Sequence, residues 1–144
     1  MSVGVGTNRS VGAENCDLGP EPGVGLSAAS FVNAIAERRG VKASGVGPVE
    51  VDGLPGMQVD VELDRSVGPT CGSETFYVPL FGFDNEGFWN HVGVEGEEHM
   101  RLIVLDVRDG QNILIALAAP DAPSFDARLS DAMAIVNNLS FDIS

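Results

Sequence analysis

The chain has 144 residues, 44% of them hydrophobic and 20% charged. That balance suits one globular domain with its own core rather than a disordered segment. Its 21 acidic against 8 basic side chains give a formal charge of −13. A field of that sign repels nucleic-acid phosphates and anionic membrane surfaces, and favours cationic ligands, metal ions or basic protein patches.

No stretch approaches the ~20 apolar residues of a membrane span. Residues 1–25 hold no continuous apolar run of the signal-peptide kind, so export would need a signal or anchor outside this sequence. The segment is glycine-rich, ends in Gly19-Pro20-Glu21-Pro22-Gly23, and is expected to be loop-rich. Val3 and Val5 alternate with glycines and could form a short edge strand there. A single α+β domain is expected over 26–144.

Ser27 is a good N-cap, and Ala28, Phe31, Val32, Ile35 and Ala36 follow at helical spacing. Arg38 and Arg39 would sit favourably at the C-terminal end of the helix dipole, before Gly40 stops the helix. A hairpin follows, with Val46, Val49 and Val51 before the turn cluster 52–56. Its second arm alternates Met57, Val59, Val61 and Leu63 with Gln58, Asp60, Glu62 and Asp64, one apolar face and one acidic face. The acidic row is expected to be solvated.

Residues 65–75 read as loop, and a strand follows through Phe76, Tyr77, Val78, Leu80 and Phe81. Pro79 inside it predicts an edge or a bulge. After the turn at 84–87, Phe88, Trp89, His91 and Val92 give another short strand. The runs 101–107 and 112–117 flank Arg108-Asp109-Gly110 and are apolar on both faces, which predicts a central hairpin. A second helix is expected from Ser124, with Phe125, Leu129, Ala132, Met133 and Val136 as its stripe. Leu139, Phe141 and Ile143 would form a final strand. The order predicts an α+β fold, an antiparallel sheet of about six or seven strands, meandering, with two helices packed on it.

Cys16 and Cys71 both lie among turn residues, unlike buried core thiols. Paired, they would tie the N-terminal segment to the middle of the chain. The closed loop of about 55 residues would contribute on the order of 4 kcal/mol in the chain-entropy model. Such a disulfide points to an oxidising compartment.

Catalytic motifs are missing from the sequence. It has no Gly-x-Ser-x-Gly, no P-loop, no dinucleotide fingerprint on a strand–helix turn and no EF-hand loop, and no cofactor is expected. His91 and His99 flank what reads as a hairpin loop. With Glu97 or Glu98 they offer a ligand set of the zinc or copper type, but the spacing matches no recognised metal motif and is more often that of a surface loop. Tyr77, Phe81, Trp89 and His91 are candidates for a small-molecule pocket or a sugar platform, although such residues more often fill the mouth of a sheet core.

The run 101–107, the turn Asp109-Gly110, the strand from Asn112, Phe125 in a helix and the closing Ser140-Phe141 resemble an extracytoplasmic domain of unknown function from high-GC bacteria. Cys16, Val51-Asp52-Gly53-Leu54-Pro55-Gly56 and Cys71 before Val78-Pro79-Leu80-Phe81 fit the same pattern. The C-terminal half is similar to PsbP-like and LpqN-like lipoprotein domains. The resemblance implies an α-β-α sandwich and an extracytoplasmic location, and brings no catalytic residue. The expectation is a non-enzymatic binding or accessory domain for a protein or small-molecule ligand. The alternatives are a small enzyme using His91 or His99 with an acid in a concave sheet, and an assembly module with an apolar patch at Phe83, Phe88 and Trp89.

Overall fold

The computed structural model describes residues 1–14, 19–67, 77–86 and 88–142. The expected Cys16–Cys71 disulfide lies outside the described residues, as do most of the loop through Pro69 and Gly72, Phe76, Gly87 and Ile143. The elements are β1 (Ser2–Thr7), β2 (Ser10–Val11), α1 (Ala28–Ala36), β3 (Val41–Val51), β4 (Leu54–Leu63), β5 (Tyr77–Asn85), β6 (Phe88–Glu95), β7 (His99–Val107), β8 (Gln111–Ala119) and α2 (Ala122–Asn137). A main sheet has the order β1-β8-β7-β4-β3, and a small sheet the order β2-β5-β6. The class is α+β, with two helices packed on an antiparallel sheet.

The central hairpin explains the layering. On one face of β7 and β8, Leu102, Val104 and Leu114 join a core with Phe31, Val32 and Ile35 of α1 and with Val78, Leu80 and Phe81 of β5. On the other face, Ile103, Leu105, Ile113, Ile115 and Leu117 meet Ala132 and Val136 of α2. Each fully buried aliphatic side chain contributes roughly 1.5–3 kcal/mol. A strand apolar on both faces is therefore stable only in the middle of such a sandwich. Asp109 and Gly110 turn the hairpin with φ of 63° and 70°.

The sheet is not a simple meander. β4 pairs with β7, and the intervening β5–β6 hairpin leaves to form the small sheet with β2. The apolar side of β4 (Val59, Val61 and Leu63) needs a cover that α1 alone does not supply, and the hairpin lays Val78, Leu80 and Val94 over it. A bulge falls between Pro79 and Phe81, as the proline predicts. The N-terminal segment is less loop-rich than its composition implies. β1 pairs along β8 and β2 along β5, so it gives an edge strand to each sheet.

Two local expectations change, and one residue shows an unexpected environment. Arg38 follows the end of α1 and is turned inward. It is 5% exposed, donates from Nη1 to the Pro79 carbonyl at 2.7 Å, and lies 3.6 Å from Glu21. Burial lowers its pKa, and Glu21 and Glu14 oppose that. α2 starts earlier than Ser124, because Asp121 caps it by accepting from the Ser124 amide at 2.8 Å. Leu139 and Phe141 form no strand. They pack on the α2-side core, and the Phe141 amide donates to Asp52 Oδ2 at 2.8 Å. Among the described residues no helix is long and apolar enough to cross a membrane.

Candidate functional site

The small sheet separates the sequence-predicted site residues by alternation and by the bulge after Pro79. Strand side chains point to opposite faces in turn. The register pairs Tyr77 with Glu95, Gly82 with His91 and Asp84 with Trp89, and these six positions share the outer face. Phe81, Phe83, Val92 and Val94 occupy the inner face. Of the four residues expected to form one pocket, Tyr77, Trp89 and His91 come together outside. Phe81 faces the core and is 6% exposed. The apolar patch expected at Phe83, Phe88 and Trp89 divides the same way, because Trp89 points away from the other two.

Two glycines shape the outer face. A Cβ at Gly82 would collide with the Trp89 indole, and one at Gly93 with the Tyr77 ring. Each ring therefore covers the backbone of a glycine on the neighbouring strand. His91 stands between them. Its Nδ1 is 2.5 Å from Tyr77 Oη, and the two rings meet edge to face at 5.6 Å. Burial raises the Tyr77 pKa, and the charges of Glu95 and Glu98 raise it further.

The inner face overhangs the main sheet and leaves an apolar slot of about 270 Å³. Its floor is made of Gly4 on β1 and of Leu114, Ala116 and Ala118 on β8. Ser2, Gly4 and Gly6 stand opposite Ala118, Ala116 and Leu114, so the edge of the sheet carries little side-chain bulk there. Phe81, Phe83 and Val92 form the roof. Among the described lining residues Arg9 is the one with a charged side chain. Its guanidinium lies 3.9 Å over the Phe83 ring and donates to the Thr7 carbonyl at 3.1 Å. Asn112, 1% exposed, fixes the Arg9 backbone by accepting from its amide at 3.0 Å and donating to its carbonyl at 2.9 Å.

A polar cleft of about 480 Å³ opens at the start of β7 and α2. His99 Nε2 lies 2.6 Å from Glu62 Oε2, and Lys42 lies 3.6 Å from the other carboxylate oxygen. The Ser124 amide and hydroxyl hold Asp121, on the same wall, below the usual carboxylate pKa. Neighbouring Asp60 accepts two bonds from Arg101, at 2.7 and 2.9 Å. The acidic row of β4 is thus largely paired rather than simply solvated. The cleft offers a candidate base in His99, and no hydroxyl or thiol side chain among its described lining residues.

The structure does not gather the proposed metal ligands. β6 and β7 follow one another but belong to different sheets, so His91 and His99 are not cross-strand neighbours. Glu98 accepts from the Glu95 amide, and Glu97 faces the polar cleft. Among the described residues no three His, Cys, Asp or Glu side chains form a group that could hold a metal. Sequence reasoning missed Arg9 and the small floor residues. Their signal is the pairing of Gly4 with Ala116, which is legible only once β1 is known to pair with β8. Comparison with family models, with curated proteins and with solved structures finds no match for the chain.

Proposed function

We propose that this chain is a non-enzymatic, extracytoplasmic binding domain that holds a medium-length aliphatic chain with an anionic head in the slot between its sheets. One observation carries the reading: an apolar slot of about 270 Å³ whose described lining carries one guanidinium, on a residue anchored by its backbone. Apolar walls with one well-placed charged group are the usual make-up of a small-molecule site. Arg9 supplies a fork of donors for a carboxylate. The extracytoplasmic placing rests on the likeness to LpqN-like lipoprotein domains and on two cysteines among turn residues. Calorimetric titration with decanoate and with decanol tests the reading. Decanoate should bind more tightly than decanol, and Arg9→Gln should remove most of that difference. Failure of both ligands to bind the folded protein overturns it.

A second reading, a small enzyme, is favoured by the 2.6 Å contact of His99 with Glu62 in the polar cleft. A carboxylate-held imidazole is the ordinary form of a general base. Hydrolytic activity on ester or glycoside probes that disappears in His99→Gln, with the fold intact, would establish it in place of the first.

A further inference from the structure

We infer that the outer face of the small sheet is a separate docking site for a saccharide bearing free amines, with Trp89 and Tyr77 as its platform. The inner slot plays no part in this. The Trp89 and Tyr77 rings lie over Gly82 and Gly93, where no side chain stands between ring and backbone. A sugar ring has one comparatively apolar face and a rim of hydroxyls. It stacks on such a surface while its rim reaches the polar edges around it. His91 is exposed, and with Tyr77 Oη it places a hydrogen-bonding pair between the two rings. Tyr and Trp present an apolar body with a polar tip, the combination that binding surfaces favour.

Charge selects among sugars. Asp84 stands opposite Trp89 and Glu95 opposite Tyr77, both on the outer face, so a carboxylate flanks each end of the platform. The whole chain carries −13. An ammonium group near either carboxylate is attracted, and over Trp89 it gains a cation–π contact as well. Acidic sugars are repelled. Neutral acetylated sugars keep the stacking and lose the charge term.

The experiment is a titration of the native protein with a glucosamine oligosaccharide, followed by the fluorescence of Trp89, the chain's single tryptophan. The N-acetylated oligosaccharide of equal length and an oligolysine of equal charge are the comparison ligands. The glucosamine oligomer should shift the emission and bind roughly ten-fold more tightly than either, weakening as salt is raised. Calorimetry should show Trp89→Ala and His91→Ala each lowering its affinity, by roughly ten-fold for the indole. His91→Ala removes an exposed side chain, so a folding defect would not confuse the result. Gly4→Leu, in the slot, should leave this binding unchanged. No response to the glucosamine oligomer, equal affinity for the acetylated oligomer, or equal affinity for oligolysine would each overturn the inference.

Discussion

The side-chain carboxamide of Asn112, at the start of β8, holds the backbone of Arg9 between β1 and β2. The Asn112 carboxamide accepts from the Arg9 amide and donates to the Arg9 carbonyl, and its second donor goes to the Leu26 carbonyl at 2.9 Å. One buried side chain thereby ties the β1–β2 turn and the approach to α1 onto the start of β8, and sets where the guanidinium lies.

Asn112→Ala should therefore cost about 2–3 kcal/mol, because it leaves backbone groups of a part-buried turn without partners. Urea unfolding measures it. Decanoate affinity should fall as well, since Arg9 would no longer be placed over Phe83.

Arg38 joins α1 to the small sheet through the Pro79 carbonyl. Replacing it with leucine keeps apolar bulk and removes the donor. Stability should drop by about 1–3 kcal/mol. Hydrogen exchange in β5 and β6 should accelerate more than in β7 and β8. Uniform acceleration would show that Arg38 supports the whole core rather than the attachment of the small sheet.

Tyr77 is the only tyrosine, so phenolate absorbance reports it alone. Its titration midpoint should lie above the ordinary 10.0, and Glu95→Gln should bring it back toward that value. The folded state holds this proton more tightly than the unfolded chain does. The resulting stability is complete below the ordinary pKa and is lost as pH rises through the folded value.

Gly56 allows close approach of β4 and β7. A Cβ there would run into the Val104 carbonyl oxygen, which is backbone and cannot move aside. Gly56→Ala should cost about 1–3 kcal/mol. Gly47→Ala, on β3 with open space around the position, should be nearly neutral. Thermal denaturation of the two variants distinguishes them.

The elements with strong local signals were readable from the residues. The stripe of α1, the alternation of β4 and the doubly apolar β7–β8 hairpin each carry their own period, and each was found. Long-range pairing was not. Nothing local tells β4 to join β7 across the β5–β6 hairpin, so the second sheet was invisible, and with it the slot between the sheets. Plain alternation along β5 puts Phe81 on the same face as Tyr77, and only the bulge after Pro79, which shifts the phase by one residue, turns Phe81 to the other side. The burial of Arg38 has no local signal, because a charged residue at a helix end is normally solvated. Here the Pro79 carbonyl and Glu21 satisfy it inside. Leu139 and Phe141 alternate like a strand, yet they pair with neither sheet and pack on the α2-side core instead.

The decisive measurement is the methyl NMR spectrum of Ala116 and Ala118 during titration with decanoate, in the native chain and in Gly4→Leu. A leucine at position 4 enters open space above the slot floor and fills it without a backbone clash. If the slot is the binding site, both alanine methyl signals move in the native protein and stay still in the variant. Signals that stay still in the native protein, or that move equally in both, would contradict it.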